Sequence, residues 1–165
     1  MKNYDCIFLD RDGTLNPDPG YINSLDNFTF FNFTIPSLVK IANQNNRFCI
    51  VTNQSGVGRG IIKEKELIRI HNFIKEDFKK NNISLLDIYY CIDHPKNPTE
   101  RRKPGPGMFL EAESDYNLSL MDSLIIGDSA DDMRSGEMLG MDTMLVLTGR
   151  GREAMQNLLE YEKPT

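Results

Sequence analysis

Carboxylates follow two of the apolar runs in this sequence, at the points where buried strands should end. Asp10 and Asp12 come directly after a run that ends at Leu9, and Asp128 comes shortly after a run that ends at Ile126. Clustered carboxylates repel one another, so a site that gathers them needs a cation, and Mg²⁺ prefers oxygen ligands of this kind. Asp10 and Asp128 can therefore reach the same metal ion. The alternative for the first motif is an Asp-rich turn that caps a strand, because Asp and Gly are common in turns.

A lysine stands in a loop whose composition restricts its position. Lys103 follows two arginines and precedes Pro104-Gly105-Pro106-Gly107, just before a predicted helix. Prolines fix the backbone and glycines permit sharp turns, so we expect this side chain to point to one place. Beside a bound phosphate, its ammonium group would neutralise charge and draw the carboxylates together. The alternative is a solvated surface, which is the usual role of a basic triplet.

The segment Val51–Gly60 combines polar residues and glycines at the end of another apolar run. Thr52 can donate its hydroxyl to a phosphate oxygen, and the backbone amides that follow can form an anion-binding concavity. Arg59 offers a planar fork of donors that suits a second anionic group or a sugar oxygen. The alternative interpretation is a glycine-rich loop with a solvated arginine.

Two further aspartates, Asp131 and Asp132, open the helix that follows Asp128. Negative charge is favourable at a helix N-terminus, so both residues could serve only as caps. Asp132 is the better functional candidate, either through a metal-bound water or by fixing Lys103. We expect Asp131 to face solvent.

Apolar runs and helical patterns alternate along the chain, which predicts an α/β fold with a central parallel sheet. The predicted strands are Asp5–Leu9, Phe48–Thr52, Asp87–Ile92, Ser123–Ile126 and Thr143–Leu147. The predicted helices are Ile35–Gln44, Lys63–Lys80, Met108–Tyr116, Asp131–Leu139 and Arg152–Glu160. Ligands of such sheets bind beyond the carboxyl ends of the strands. The segment Asn16–Phe33 is too long for a simple turn, and we expect a small flap or hairpin over the site.

Length, composition and charge limit the classes of protein that fit the sequence. The 165 residues are expected to form one domain, 1–165, whose core needs no disulfide or structural metal. No apolar run reaches the roughly 18 residues of a membrane span, and the first strand leaves no room for a signal peptide. Cys6, Cys49 and Cys91 lie in or at the end of apolar runs and are expected to fill the core in a reducing cytoplasm. A net charge of −5 disfavours nucleic acid as a partner, and we expect a cytoplasmic monomer that acts on a small molecule.

These chemical elements stand in one order over nearly the whole chain, and in that order they resemble the haloacid dehalogenase (HAD) superfamily of phosphatases. The elements are Asp-x-Asp-Gly-Thr from Asp10, the strand-end Thr52, Lys103, and Gly-Asp-x-x-x-Asp from Gly127. The resemblance implies a three-layer, Rossmann-like α/β fold with a central parallel sheet and a minimal cap.

The same resemblance implies a role for each element. Asp10 would be the nucleophile that becomes an aspartyl phosphate, and Asp12 the general acid that protonates the leaving oxygen and then activates water. Thr52 and Lys103 would contact the phosphoryl oxygens, and Mg²⁺ would be held by Asp10, the backbone carbonyl of Asp12 and Asp128. The chemistry agrees, because two-step hydrolysis needs a carboxylate nucleophile, a separate proton donor and charge neutralisation.

Further details resemble the histidinol-phosphatase-like subgroup, and within it the D-glycero-D-manno-heptose 1,7-bisphosphate phosphatases. These details are Gly20-Tyr21-Ile22, the run Thr52–Gly60 and the run Arg102–Met108. The resemblance implies a small phosphorylated sugar as the substrate and removal of the C7 phosphate of a heptose bisphosphate. It also implies Asn53, Arg59 and Arg102 as substrate-binding residues.

Other functions stay open as alternatives. One is histidinol-phosphate phosphatase, and another is the nucleic-acid 3′-phosphatase of polynucleotide kinase, which shares the Thr-Asn-Gln and Arg-Lys-Pro motifs. The acidic net charge disfavours the nucleic-acid enzyme, which needs a basic path for the strand. A non-catalytic, phosphate-binding member of the fold is a third alternative, but this chain keeps Asp10, Asp12 and Lys103.

Two positions depart from the pattern of the subgroup. Relatives commonly carry a zinc loop of Cys-x-His followed by Cys-x-Cys before Arg-Lys-Pro, whereas this chain offers Cys91 and His94. A closed zinc site needs four ligands, so no zinc is expected. Ser129 stands where many heptose-specific members have a lysine after the aspartate. Both departures bear on the sugar that is recognised more than on the chemistry.

Overall fold

The computed structural model describes residues 3–42 and 44–161, and it contains one sheet of five parallel strands. The strands are β1 (Ile7–Leu9), β2 (Phe48–Asn53), β3 (Leu85–Cys91), β4 (Leu124–Gly127) and β5 (Asp142–Leu145). Their order across the sheet is β3-β2-β1-β4-β5, so β1 lies in the centre. Each neighbouring pair is parallel, which confirms the predicted α/β fold.

Helices connect the strands and follow the last one. They are α1 (Thr34–Ala42), α2 (Ser55–Gly58), α3 (Glu64–Lys80), α4 (Gly107–Tyr116), α5 (Ala130–Met138) and α6 (Gly151–Tyr161). The sequence pattern does not predict α2, because four residues with two glycines carry no helical periodicity. The ends of the other elements differ from the predicted ends by at most two residues. Asn43, which belongs to one predicted helix, lies outside the described residues. Within the described ranges, no helix is long and apolar enough to cross a membrane.

The central strand explains why the strands are apolar almost throughout. Successive side chains of a strand point to opposite faces of the sheet. Ile7 and Leu9 belong to one core cluster, whereas Phe8 belongs to another. The first cluster includes Ile70 from α3, and the second includes Phe109 from α4. Helices therefore cover both faces of the sheet, which gives the expected three layers.

The segment between Asn16 and Phe33 contains no hairpin, so that part of the prediction is wrong. It has one short 3₁₀ turn, Leu25–Asn27, and its other residues form no strand. Its apolar residues are spaced too irregularly to alternate along two paired strands. Ile22 and Phe28 are instead buried in the core cluster that α3 covers. These two side chains hold the segment against the fold, beside the carboxyl edge of the sheet.

Candidate active site

A cavity opens at the carboxyl edge of the sheet, where β1, β2 and β4 end. Its volume is about 300 Å³. The residues predicted from the sequence that line it are Asp10, Asp12, Thr52, Asn53, Arg102, Lys103, Asp128 and Asp131. The lining also includes Asp18, Gly20, Tyr21, Ile22, Gln54, Ser55, Gly56, Ile62, Ser129 and Arg150. Arg59 and Asp132 do not belong to this lining, although Asp132 lies directly behind it.

Lys103 is buried beneath the cavity, and its ammonium group joins three elements of the fold. Nζ donates to Oδ1 of Asp10 at 2.8 Å and to the carbonyl oxygen of Val51 at 2.7 Å. It also donates to Oδ1 of Asp132 at 2.6 Å, so all three N–H donors of the ammonium group are used. Burial alone would lower the pKa of Lys103, but the neighbouring carboxylates raise this pKa above its usual value. The side chain is therefore a cation in the folded protein.

Asp132 has two contacts that sequence reasoning treated as alternatives, a helix cap and a bond to the lysine. Its Oδ2 accepts from the backbone N–H of Ser129 at 3.1 Å and from the Ser129 hydroxyl at 2.6 Å. The backbone N–H of Asp132 donates to Oγ of Ser129 at 3.3 Å, which completes a capping box at the start of α5. Oδ1 is left for Lys103. The cap thus fixes the carboxylate that holds the lysine.

Asp128 lies directly after β4, where two glycines pack against its carboxylate. The backbone N–H of Arg150 donates to Oδ2 of Asp128 at 2.7 Å. A Cβ atom at Gly13 or Gly149 would lie 2.1 Å from the same oxygen, and φ is positive at both glycines, 90° and 51°. Glycine is the residue that fits both requirements. The loop after β5 is therefore part of the site, which sequence reasoning missed. The signal that could have indicated it is Gly149, a glycine in the loop that follows β5, the strand beside β4.

Three carboxylates lie close enough to hold one metal ion. Oxygen atoms of Asp10, Asp128 and Asp132 are within 4.8 Å of one another. Burial raises the pKa of Asp10 well above its usual value, and the two other carboxylates add to this effect although Lys103 opposes it. Burial also raises the pKa of Asp128. Three carboxylates against one ammonium group leave an excess of negative charge, and a divalent cation with oxygen ligands fits this set of donors. Both oxygens of Asp132 accept bonds of 2.6 Å, from Lys103 and from Ser129. Asp10 and Asp128 each use one oxygen in a short bond, at 2.8 and 2.7 Å, so these two carboxylates are the better placed ligands.

Gln54 connects two of the side chains that the sequence predicts to be catalytic. Its Nε2 donates to Oδ2 of Asp12 at 2.7 Å and to the hydroxyl oxygen of Thr52 at 2.9 Å. Because the Thr52 oxygen accepts this bond, the Thr52 hydroxyl hydrogen can be directed to a phosphate oxygen. Sequence reasoning missed Gln54, although an amide two residues after a strand-end threonine is close enough to suggest the contact.

Asp12 is held by Arg11, the residue between the two aspartates of the first motif. Nε and Nη2 of Arg11 donate to Oδ1 and Oδ2 of Asp12 at 2.9 and 2.7 Å, which makes a bidentate pair. Asn16 also donates to Oδ1 at 2.9 Å. Burial alone would raise the pKa of Asp12, but the charge and hydrogen bonds of Arg11, with those of Asn16 and Gln54, bring this pKa below its usual value. The carboxylate of Asp12 is thus ionised and its plane is fixed.

Asn53 is bonded to the backbone of Lys103. Its Oδ1 accepts from the Lys103 N–H at 3.0 Å, and its Nδ2 donates to the Lys103 carbonyl oxygen at 3.1 Å. The two bonds fix the backbone from which the lysine side chain extends. Asn53 also lines the cavity, so its contact with the substrate stays a prediction.

The two arginines predicted to bind substrate lie in different surroundings. Nη1 of Arg59 donates to the Tyr21 hydroxyl at 2.6 Å, and the guanidinium carbon lies 5.8 Å from the centre of the Tyr21 ring. Arg102 lines the cavity, and in the described part of the chain its buried Nη1 has no hydrogen-bond partner. A buried guanidinium N–H without an acceptor is costly. The contact of either arginine with the substrate stays a prediction.

Hydrogen bonds close the loop that follows β3, where the sequence offers Cys91 and His94 as candidate zinc ligands. Cys91 is buried at the end of β3, and Nδ1 of His94 accepts from the backbone N–H of Lys96 at 3.1 Å. Oδ2 of Asp93 accepts from the backbone N–H and the hydroxyl of Thr99 at 2.7 and 2.6 Å. The expectation that the protein needs no zinc stays a prediction.

A parallel α/β sheet that gathers carboxylates around a buried lysine at its carboxyl edge has the arrangement of a HAD-like phosphatase. Residues 100–165 match the family model described as HAD-hydrolase-like. The D-glycero-beta-D-manno-heptose-1,7-bisphosphate 7-phosphatase of Escherichia coli (strain K12) is 34% identical over 157 residues, which cover 90% of this chain and 82% of that protein. The D-glycero-alpha-D-manno-heptose-1,7-bisphosphate 7-phosphatase of Burkholderia mallei is 35% identical over 159 residues, which cover 91% and 82%. The chain therefore belongs to the HAD-like family and is a phosphatase.

A solved structure is similar over nearly the whole chain. It is the D,D-heptose 1,7-bisphosphate phosphatase of B. bronchiseptica, complexed with magnesium and phosphate. The TM-score is 0.86 at 28% sequence identity, and the match covers 95% of this chain and 87% of that chain. The fold described above is thus the fold of this enzyme.

The protonation state of His71 gives a test of the buried network around Arg11. Nε2 of His71 lies 3.2 Å from Nη1 of Arg11, and burial, helped by the arginine charge, lowers the pKa of His71 to about 3. We expect a neutral imidazole in the folded protein down to about pH 4, whereas an unfolded histidine titrates near about 6.5. The unfolded state then binds a proton that the folded state does not, so His71 lowers the stability as the pH falls from about 6.5 towards 3.

An NMR titration of the imidazole C–H signals measures this pKa directly. The chain has two histidines, so His94→Gln leaves one signal set to follow. The same titration in denaturant gives the unfolded reference. A midpoint near the unfolded value in the folded protein would contradict a buried, uncharged His71.

Proposed function

We propose that this phosphatase hydrolyses the C7 phosphate ester of D-glycero-D-manno-heptose 1,7-bisphosphate and that it requires Mg²⁺. The observation that carries the proposal is the bond of Lys103 to Asp10 at the carboxyl edge of the sheet, beside a cavity that Arg102 also lines. The curated relatives named above support the choice of sugar, and they include phosphatases named for both the alpha and the beta anomer.

Asp10 acts as the nucleophile in this proposal. Its Oδ1 accepts from Lys103, and its Oδ2 has a long contact, 3.4 Å, with the Thr14 hydroxyl. A carboxylate oxygen attacks phosphorus, the bond between phosphorus and the sugar oxygen breaks, and an aspartyl phosphate forms. Water then attacks the same phosphorus, which releases inorganic phosphate and restores the carboxylate.

Asp12 moves the protons of both steps. The substrate-free protein holds this carboxyl group ionised, so it takes up a proton when the negative phosphate binds beside it, because a nearby like charge raises a carboxyl pKa. It gives that proton to the leaving sugar oxygen and later takes one from the attacking water, so it returns to its protonated state. Arg11, Asn16 and Gln54 hold its carboxylate at a fixed place on the wall of the cavity.

The negative charge of the phosphoryl group needs donors on several sides. Thr52 supplies its hydroxyl hydrogen and Lys103 supplies the positive charge of its ammonium group. When bound, Mg²⁺ would stabilise the charge on the phosphoryl oxygens. The residues that would hold the ion are Asp10 and Asp128 with their carboxylates and Asp12 with its backbone carbonyl.

The second phosphate of the substrate needs cations farther from the nucleophile. Arg102 is the better supported of the two candidate arginines, because it lines the cavity and its Nη1 has no hydrogen-bond partner in the described part of the chain. Arg59 does not line the cavity, and it donates to Tyr21. Asn53 and Arg59 complete the proposed substrate-binding residues.

Turnover should depend on the carboxylate of Asp10 and on a divalent cation. Asp10→Asn keeps the shape of the side chain but removes the nucleophilic charge, so we expect activity to fall below detection. Beryllium fluoride should form an aspartyl-phosphate mimic on Asp10 of the wild-type protein, observable by NMR or crystallography. EDTA should abolish activity and added Mg²⁺ should restore it.

Asp18→Asn provides the matched control. Asp18 is an exposed carboxylate at the rim of the same cavity, and its Oδ1 accepts from the backbone N–H of Gly20 at 2.9 Å. We expect this variant to keep most of its activity. Wild-type turnover in Asp10→Asn would refute the assigned nucleophile.

The bisphosphate should be distinguished from other substrates by Arg102. Removal of one charge-assisted contact costs about 1.5–3 kcal/mol, which corresponds to a roughly tenfold to hundredfold loss in kcat/KM. We expect Arg102→Ala to show this loss on the heptose bisphosphate and a much smaller loss on p-nitrophenyl phosphate, which has no second anion. Arg101→Ala is the control, because this neighbouring exposed arginine pairs with Glu111 at 3.3 Å and does not line the cavity.

The measurement includes histidinol phosphate and a 3′-phosphorylated oligonucleotide as competing substrates. The proposal requires the heptose bisphosphate to have the highest kcat/KM of the set. A higher kcat/KM for either competitor would refute the proposed substrate. If Arg102→Ala loses as much kcat/KM on p-nitrophenyl phosphate as on the heptose bisphosphate, Arg102 does not bind the second phosphate.

A further inference from the structure

The side chain of Arg11 links Asp12 to the helix α3. Arg11 is fully buried at 0% exposure, and two of its nitrogens bind the Asp12 carboxylate as described above. Its remaining nitrogen, Nη1, lies 3.2 Å from Nε2 of His71. A guanidinium group has donors only, so the imidazole accepts this bond through Nε2. The bonds run from His71 through Arg11 to Asp12.

His71 occupies a place on α3 where core packing alone would favour an apolar residue. Its neighbours along the helix, Ile70 and Ile74, are fully buried core residues, and His71 itself is 5% exposed. The imidazole ring also lies edge-on to the ring of Tyr90, with centroids 5.2 Å apart. A buried polar ring at such a place is costly unless it has a partner. The partner that the structure supplies is the Nη1 donor of Arg11.

The third bond of Arg11 restricts the plane of its guanidinium group. Two parallel bonds to Asp12 fix the two groups relative to each other, but they do not fix the pair relative to the rest of the fold. The bond to His71 attaches the pair to a long helix that packs against the sheet. Without the His71 acceptor, a buried N–H of Arg11 would have no hydrogen-bond partner. Arg11 and Asp12 would then shift together until this N–H reached another acceptor.

We propose that His71 is a positioning residue for the proton transfers of Asp12, and that it acts through Arg11. The inference rests on the proposed role of Asp12 as general acid and base. His71 does not touch the substrate cavity, and its contribution is the orientation of the Asp12 carboxylate. Misplacement of a catalytic group by about 1 Å can lower a rate by about a hundredfold.

The test uses two aryl phosphates whose leaving groups differ in their need for a proton. p-Nitrophenolate leaves readily without protonation, whereas phenolate needs the general acid more. The quantity kcat/KM includes the steps up to the first irreversible one, which is formation of the aspartyl phosphate with release of the phenol. The ratio of kcat/KM for phenyl phosphate to that for p-nitrophenyl phosphate therefore reports the acid step. Both values come from one preparation, so the ratio does not depend on the folded fraction.

His71→Phe removes the acceptor and keeps a flat ring against Tyr90. We expect kcat/KM for phenyl phosphate to fall about tenfold to hundredfold, and that for p-nitrophenyl phosphate to fall less than about threefold. His71→Gln places a neutral acceptor near the position of Nε2 and should return the ratio to within about threefold of the wild-type value. His71→Leu suits the apolar face of α3 and replaces the phenylalanine variant if that variant does not fold.

Equal losses on both substrates in His71→Phe, or no rescue of the ratio by His71→Gln, would overturn the inference. Asp12→Asn, measured on the same pair, separates this failure from a failure of the proposed function. If Asp12→Asn leaves the ratio unchanged, Asp12 is not the acid and the proposed mechanism itself is wrong. If Asp12→Asn lowers the ratio and His71→Phe does not, only the positioning role of His71 is refuted.

Discussion

The geometry of the site depends on the buried ammonium group of Lys103. Its three bonds reach the ends of β1 and β2 and the first turn of α5, so the elements that carry Asp10, Thr52 and Asp132 are held at fixed separations. Removal of one partner from a buried ion pair typically costs about 3–5 kcal/mol, because the remaining charge is left uncompensated. A substitution of Lys103 would therefore alter folding and activity together. Asp10→Asn removes a charge with little change in shape, so it tests the chemistry more directly than a substitution of Lys103 does.

The charges of the site explain how an acidic protein could bind the proposed substrate, an anion with two phosphates. The net charge of the chain is −5, yet three cationic side chains, Arg102, Lys103 and Arg150, line the cavity. The carboxylates of Asp10 and Asp128 oppose this field until a divalent cation neutralises them. Metal binding and phosphate binding should therefore favour each other. The net charge of the whole chain says little about the field inside one cleft.

Local patterns in the sequence predict the strands, the helices and the strand-end aspartates, because each depends on neighbouring residues and on the sheet topology. Contacts between distant residues are harder to predict. Arg11 lies 60 residues from His71, and the bonds from Asn53 to the backbone of Lys103 span 50 residues. No local pattern indicates either partner. The hairpin expected between residues 16 and 33 fails for a related reason, since the structure of that segment depends on where Ile22 and Phe28 are buried.

The side chains proposed to perform the chemistry and those proposed to select the substrate are held in different ways. Asp10, Asp12 and Lys103 are fixed by short, buried bonds, whereas Arg59 and Arg150 are exposed on loops. Loops can change without moving the strand ends, so one catalytic arrangement can serve several phosphate esters. Ser129 belongs to both groups, because its hydroxyl takes part in the cap of α5 while its residue lines the cavity. A serine at this position adds no positive charge, so in the proposed complex Arg102 would supply more of the attraction for the distal phosphate than it would beside a lysine.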